Sequence, residues 1–392
     1  MSLRILRKMV NYKSAFVLAP MVRIGDLPTR LLSLRYGADL VWGPEIIDKK
    51  LLVCERVENK KLGTVDFITQ SNNDDAVSNL VFRTFPALET NKLIFQMGTA
   101  DADLAVQAAK TVIKDVSGID INAGCPKHFS IHSGMGAALL STPDLLVDIL
   151  TRLVNEVGKP NEKPISVKIR IFDDKDKTLE LVSRLLDTGI ANLTVHCRTK
   201  TMRNREKPIR DFVPDIRDMC RAKNVTFIIN GDVKDYKEYA ELQNVYGEDV
   251  GCMVASAAEL NPSCFRKEGP LPWMQVCRDY ADVCEQFETY KSVAKYCMSR
   301  LIPKGNKSKS ARVRLSAAKS LEEIVTLFRD ELNDEGELVQ EDSEKGTEKR
   351  IDKASEKDTE KDTEKARSTL NTKRPAHVLE SASTSMEKRV KA

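Results

Sequence analysis

Eight short apolar, β-branched runs recur through the first two-thirds of the chain: Phe16–Ala19, Leu40–Trp42, Leu93–Met97, Ile119–Asn122, Ile165–Ile169, Leu193–His196, Thr226–Asn230 and Cys252–Ala255. Most are separated by stretches of helical periodicity, such as Asp101–Asp115, Pro143–Val157, Thr178–Thr188 and Val233–Val245. Thr142-Pro143 offers a cap followed by a proline in the first turn. Strand–helix alternation on this scale, eight times over about 250 residues, is the pattern of a (β/α)8 barrel. A doubly wound open sheet is the competitor, but no Gly-x-Gly-x-x-Gly follows the first run. The expected fold is therefore α/β, a TIM barrel over residues 11–261.

From Pro262 the pattern changes. Residues 262–335 read as amphipathic helices, roughly Trp273–Arg300 and Ala311–Glu331, and form a smaller all-helical domain. Residues 336–392 make a charged tail: from Glu341 onward 25 of 52 residues are charged, Thr-Glu-Lys recurs three times, and no aromatic residue follows Phe328. So little apolar surface cannot offset the entropy of ordering, and the tail is expected to be disordered. At the other end, Arg4, Arg7 and Lys8 precede any acidic residue, as in a mitochondrial presequence. The first strand begins so soon afterwards that a short basic arm is the favoured reading. The nine cysteines are odd in number and contain no CxxC pair, which argues against a disulfide framework or zinc ribbon and for a reducing compartment. No apolar run approaches the roughly 18–20 residues of a membrane span. A soluble, monomeric protein of the cytoplasm, with the nucleus as a second compartment, is expected.

Function enters through the strand ends. Each carries polar or special residues: Pro20-Met21, Glu45, Gln96, Asn122 to Cys125, Lys168 and Arg170, His196 and Arg198, Asn230-Gly231-Asp232, and Ala255-Ser256. In a barrel all of these ends converge on one face, where barrel enzymes hold their sites. Charge adds a second clue. With 62 basic and 58 acidic residues the net charge of +4 names no partner, yet Lys291 to Lys319 holds nine basic residues and no acidic one. A one-sign run beside a barrel suggests a polyanion.

The strand ends also spell a family. LAPMVR at Leu18–Arg23, FQMG at Phe95–Gly98, DINAGCP at Asp120–Pro126, GMGAALL at Gly134–Leu140, VKIR at Val167–Arg170, VHCRT at Val195–Thr199, NGD at Asn230–Asp232 and MVASAAELNP at Met253–Pro262 resemble the tRNA-dihydrouridine synthases. The resemblance covers about residues 11–335. TVDF at Thr64–Phe67, VFRT at Val81–Thr84 and KYC at Lys295–Cys297 look like the eukaryotic branch that acts on position 20 of the D-loop. The resemblance implies a flavoenzyme that reduces a tRNA uridine, holding FMN and taking electrons from NADPH or NADH. It implies a ring lying against Pro20, Met21 and Val22, with Gln96 at its edge, Lys168 near the N1–C2=O region, and His196 in contact. The flavin phosphate would rest on Asn230, Gly231, Asp232, Ala255 and Ser256. Two departures stand out. Ser256 replaces the family's usual arginine, and the tail cannot supply the double-stranded RNA-binding domain of animal members.

Cys125 is the candidate catalytic residue. Reducing uracil needs a hydride at one carbon of the double bond and a proton at the other, and a thiol of ordinary pKa about 8.5 stays neutral until it acts. Cys125, His128 and His132 have a spacing that could also serve a metal, but no fourth ligand is near, and no metal is expected. Glu45, Asn122, Arg170 and Arg198 are candidates for the substrate, and the loop beyond Arg198 carries five more cations from Lys200 to Arg210. Lys291, Lys295 and Arg300 are the candidates for tRNA phosphates. A flavin-barrel oxidoreductase for a free pyrimidine or enone and a non-catalytic tRNA-binding protein remain the competing functions. Neither basic segment is needed by a small neutral substrate, and an intact set of flavin positions is not needed by a mere binder.

Overall fold

The computed structural model describes residues 10–70 and 79–338. The tail expected to be disordered lies outside them from residue 339, as does the basic arm at Arg4, Arg7 and Lys8. Twelve strands form among the described residues: β1 (Phe16–Leu18), β2 (Leu40–Trp42), β3 (Ile46–Ile47), β4 (Cys54–Asn59), β5 (Thr64–Thr69), β6 (Leu80–Thr84), β7 (Leu93–Gly98), β8 (Gly118–Ala123), β9 (Ile165–Arg170), β10 (Asn192–His196), β11 (Thr226–Asn230) and β12 (Gly251–Val254). Eight pair in parallel in the order β2-β1-β12-β11-β10-β9-β8-β7, and β2 pairs back to β7, which closes the barrel. These are the eight apolar runs. Buried on both faces, parallel strands read as runs rather than alternations.

The closed barrel has an asymmetric interior. From β1, β2, β11 and β12 it receives Val17, Leu40, Trp42, Ile228 and Met253, which form one apolar cluster with Tyr12 beneath. From β7 to β10 it receives Gln96, Asp120, Asn122, Ser166, Lys168, Arg170, Asn192, Thr194 and His196, alternating with core residues that face the helices. Barrel interiors are usually filled with branched apolar side chains. Half of this one is polar from floor to mouth.

Three features depart from expectation. A three-stranded antiparallel sheet, β4-β5-β6, is inserted before β7; its first strand, Cys-Glu-Arg-Val-Glu-Asn, is largely exposed and carries too few apolar residues to announce itself. The helix Leu27–Arg35 carries no readable period either, because Thr29, Arg30 and Ser33 are buried among its leucines and polarity does not mark one face. Finally, the two long C-terminal helices are four: Trp273–Gln286, Lys291–Leu301, Lys309–Ala317 and Leu321–Thr326, the last continuing to Glu331. The first break falls at Glu288, in the left-handed region at φ 49°, where Thr289 N–H returns to Cys284 O at 2.8 Å.

These helices gather a core of their own, and the helix Leu27–Arg35 belongs to it through Leu27, Leu31 and Leu32. Tyr280 Oη donates to Asp26 at 2.8 Å, joining the helical segment to the cap of that first helix. The antiparallel sheet is fixed by a buried ion pair. Arg30 and Glu89 are each 1% exposed and meet at 2.6 Å. Arg30 also donates to Gly25 O at 2.8 Å and Arg83 O at 2.7 Å, while Glu89 accepts from Thr84 Oγ1 at 2.9 Å and Phe85 N at 2.8 Å.

Candidate active site

The strand register sets the levels of the polar wall. Gln96, Asp120 and Ser166 are neighbours at one level, Asn122, Lys168 and Thr194 at the next, and Arg170, His196 and Asn230 at the mouth. Asp120, which sequence reasoning did not single out, organises the lowest level. It is fully buried, accepts from Ser166 Oγ at 2.7 Å and Gln96 Nε2 at 2.8 Å, and burial pushes its carboxyl up to about 6. Its bond to Gln96 fixes the orientation of that amide. The signal available in the sequence was its spacing: Asp120 and Asn122 are two apart in a strand and face the same way.

Above it Lys168 is pulled down to about 8, by burial first and then by the Arg170 charge, with Asp120 opposing. His196 is driven to about 2 by burial and by Lys168, Arg170 and Arg198. It is therefore a neutral imidazole. Its Nε2 lies 3.2 Å from Arg198 Nη1; an arginine can only donate, so the histidine's proton sits on Nδ1.

Cys125 follows β8, half-buried, on a backbone held from several sides. Asn122 Oδ1 accepts from Gly124 N at 3.0 Å and Cys125 N at 3.1 Å. Arg170 Nε donates to Gly124 O at 2.8 Å, and Ala137 N donates to Cys125 O at 2.9 Å. Gly136, at φ 61°, is needed for that last contact, since a Cβ there would lie 2.7 Å from the Cys125 carbonyl. The loop is thus tied down at Gly124 and Cys125. Glu45 stands nearby, half-buried, with Oε1 unpartnered, in space left by Gly98, where a Cβ would lie 2.6 Å from that oxygen. Burial raises its carboxyl, opposed by Asn122 and the Lys127 charge.

Two arginines expected to meet the substrate do other work. Arg198 is 2% exposed and is bound by Glu206 O at 2.7 Å, Asn204 O at 2.9 Å and Asp232 Oδ1 at 2.6 Å. It shapes the 198–206 loop and neutralises Asp232. Arg170 is 6% exposed and, besides Gly124, binds Thr199 O at 2.9 Å; it braces the Cys125 loop. Both guanidiniums are turned inward to satisfy carbonyls, a bracing role that the sequence did not announce. Lys291 is exposed and Lys295 half-buried, donating to Lys319 O at 2.7 Å and Ser316 O at 2.6 Å, while Arg300 is paired with Glu259 at 2.7 Å. His128 and His132 stack on each other at 5.6 Å, and among the described residues no three His, Cys, Asp or Glu side chains are grouped to hold a metal ion.

At the far side of the mouth, Asn230 Nδ2 binds Met253 O at 2.9 Å. Gly231 and Asp232 follow at φ 121° and 52°. A Cβ on Gly231 would lie 3.3 Å from both His196 Cδ2 and Pro208 Cβ, so glycine is required by space as well as by conformation. Arg210 Nη2 donates to Gly231 O at 2.8 Å, and its buried Nε has no partner. Pro20 and Met21 are half-buried and Val22 exposed on the loop after β1, and Ala255 and Ser256 follow β12. The arrangement combines one thiol, one cation at the level below it, a neutral imidazole and a glycine turn around a common opening.

Comparison with known proteins gives concordant results. The profile of the family described as "Dihydrouridine synthase (Dus)" matches residues 17–355. The chain is 50% identical over 344 residues to the Saccharomyces cerevisiae protein named tRNA-dihydrouridine(20) synthase [NAD(P)+], covering 86% of this chain and 88% of that one. It is 47% identical over 323 residues to the Schizosaccharomyces pombe protein of the same name, covering 82% of this chain and 66% of that one. It is 31% identical over 273 residues to the human tRNA-dihydrouridine(20a/20b) synthase [NAD(P)+]-like protein, covering 70% and 77%.

Proposed function

The chain belongs to the dihydrouridine synthase family, and from that premise we propose that it reduces the 5,6 double bond of a tRNA uridine at position 20 of the D-loop. NAD(P)H is the electron source, as in the names of its two fungal relatives, and FMN is the resident cofactor. One observation carries this reading: a thiol on a backbone fixed by Asn122, Arg170 and Ala137 stands over a wall that presents one cation and one oriented amide.

The residues fit a flavin mononucleotide. Lys168 supplies a cation for the ring edge on which negative charge collects, and Gln96 an amide for an edge of mixed donors and acceptors. The Gly231 turn, cleared of any Cβ and backed by Arg210 with its unpartnered Nε, suits a phosphate. Ser256 adds no charge there. When bound, the flavin supplies the hydride. The chain's own residues do the rest. Asn122 and Arg170 hold the Cys125 backbone so that its thiol meets one face of the uracil and delivers the proton to the second carbon. Neutral His196 offers an N–H rather than a further cation, above the level at which Lys168 stands. A uridine within a folded tRNA must be turned out to reach this mouth.

The purified protein is expected to be yellow and to release FMN on denaturation; a colourless protein unable to take up added FMN would overturn the reading. Replacing Lys168 with methionine should lower the flavin midpoint potential. A hydrogen bond to a charged group is worth about 1.5–3 kcal/mol, or roughly 30–65 mV for a two-electron couple. The fold should be no less stable, since the variant relieves the desolvation that depresses the lysine. Spectroelectrochemical titration showing an unchanged potential would remove Lys168 from the ring edge.

A further inference from the structure

A cleft of about 800 Å³ opens beside the barrel mouth, between the loop after β1, β3 and β6 on one side and residues 287–296 on the other. Glu45 lies in its wall, so the cleft adjoins the opening where Cys125 stands. Across the cleft, Arg23 of the loop after β1 holds its guanidinium over the ring of Tyr296 on the other side, 5.4 Å from the centroid. Both side chains are exposed, Tyr296 by 37%. Arg30 and Arg83, the other arginines of the cleft, are tied to Glu89 and Asp66. Among the described residues Arg23 makes no side-chain hydrogen bond and no ion pair; the ring is its only partner.

Its backbone is unusual too. Arg23 is in the left-handed region at φ 71°, a conformation that costs a non-glycine residue of order 1–3 kcal/mol. It is clamped there: Gly25 N and Ile24 N donate to Met21 O at 2.7 and 3.2 Å, and the Cys297 thiol donates to the Arg23 carbonyl at 3.2 Å. An exposed cation–π contact returns only about 0.5–1 kcal/mol. As a surface staple, Arg23 on Tyr296 therefore does not repay the conformation it requires. Strain that packing enforces without return in stability is typical of functional positions.

We propose that Arg23 and Tyr296 form a stacking platform for an unpaired base of the tRNA, a nucleotide flanking the target uridine, seated in the cleft while the uridine occupies the mouth. The inference rests on the tRNA reading above. Guanidinium and phenol planes are the surfaces on which unstacked bases are held, whatever their identity. The cleft has the volume of a small-ligand site. The uncompensated charge of Arg23 suits a polyanion, and the exposed Lys291 lies on the helix that carries Tyr296.

The test uses the full chain loaded with FMN and measures tRNA affinity against salt for Arg23→Lys, Arg23→Gly and Tyr296→Leu. Stacking is worth about 1–3 kcal/mol per base, so each variant should weaken binding by about 5- to 150-fold. The slope of log affinity against log salt should stay unchanged for Arg23→Lys and Tyr296→Leu. Arg23→Gly, which relieves the backbone, should keep or raise the thermal midpoint while losing affinity. Normal tRNA binding by all three variants would overturn the platform. So would Arg23→Lys binding like the parent while Arg23→Gly alone flattens the salt slope by about 0.7–0.9, the signature of one phosphate contact. A fall in thermal midpoint for Arg23→Gly would make the pair a structural staple. If the parent protein itself failed to bind tRNA, the tRNA reading would fall rather than the platform alone.

Discussion

Replacing Cys125 with alanine should lower dihydrouridine formation by about 10²- to 10⁴-fold, the contribution of a positioned general acid. FMN should remain bound and should still be reduced by NAD(P)H, because the groups assigned to the ring lie on β7, β9 and β10 rather than on the Cys125 loop. The loop itself should survive, since the hydrogen bonds that hold it use backbone atoms of Gly124 and Cys125. Stopped-flow reduction followed by a tRNA chase separates the two half-reactions. Full turnover by the variant would reassign the proton, with exposed His128 the next donor along the chain.

Replacing Glu89 with alanine should destabilise the fold by about 3–5 kcal/mol, the usual consequence of stranding one partner of a buried ion pair. Arg30 would keep its two carbonyl partners but lose its counter-charge, and Thr84 Oγ1 and Phe85 N would lose their acceptor. Urea unfolding at constant m-value reads this directly as a shift in midpoint. A loss below about 1 kcal/mol would mean that water reaches Arg30 and that the antiparallel sheet is held by its apolar contacts, chiefly Phe82 against Phe95 at 5.1 Å.

Both residues illustrate what can be read in a sequence. Cys125, Lys168 and His196 sit at the ends of buried parallel strands, and a strand end is legible because an apolar run stops there. The position of each was therefore visible, and so was the closed barrel. Glu89 and Arg30 were not, because a buried ion pair looks like two surface charges until tertiary structure brings them together. The bracing roles of Arg198 and Arg170 were hidden for a related reason. A guanidinium that meets RNA and one that ties down two carbonyls have the same spacing, and only packing separates them. Asp120 was hidden by its own strand, one acid inside a run of isoleucines. The break at Glu288 carries neither glycine nor proline, so helical periodicity ran straight through it.

The helix Leu27–Arg35 has a consequence for how the chain must be made. It is the first crossover helix of the barrel, yet the apolar side chains it buries against belong largely to helices that begin at Trp273. At roughly 5–20 residues per second it waits on the order of tens of seconds on the ribosome before those partners emerge. Throughout synthesis its core leucines, Leu27, Leu31 and Leu32, have nothing to cover them. The newborn chain is thus open to chaperones and to aggregation until its final third is translated. For the same reason, a cut after the last barrel strand would leave each half with an uncovered face: the catalytic barrel and its helical companion are one folding unit, joined by the first helix made and the last ones to arrive.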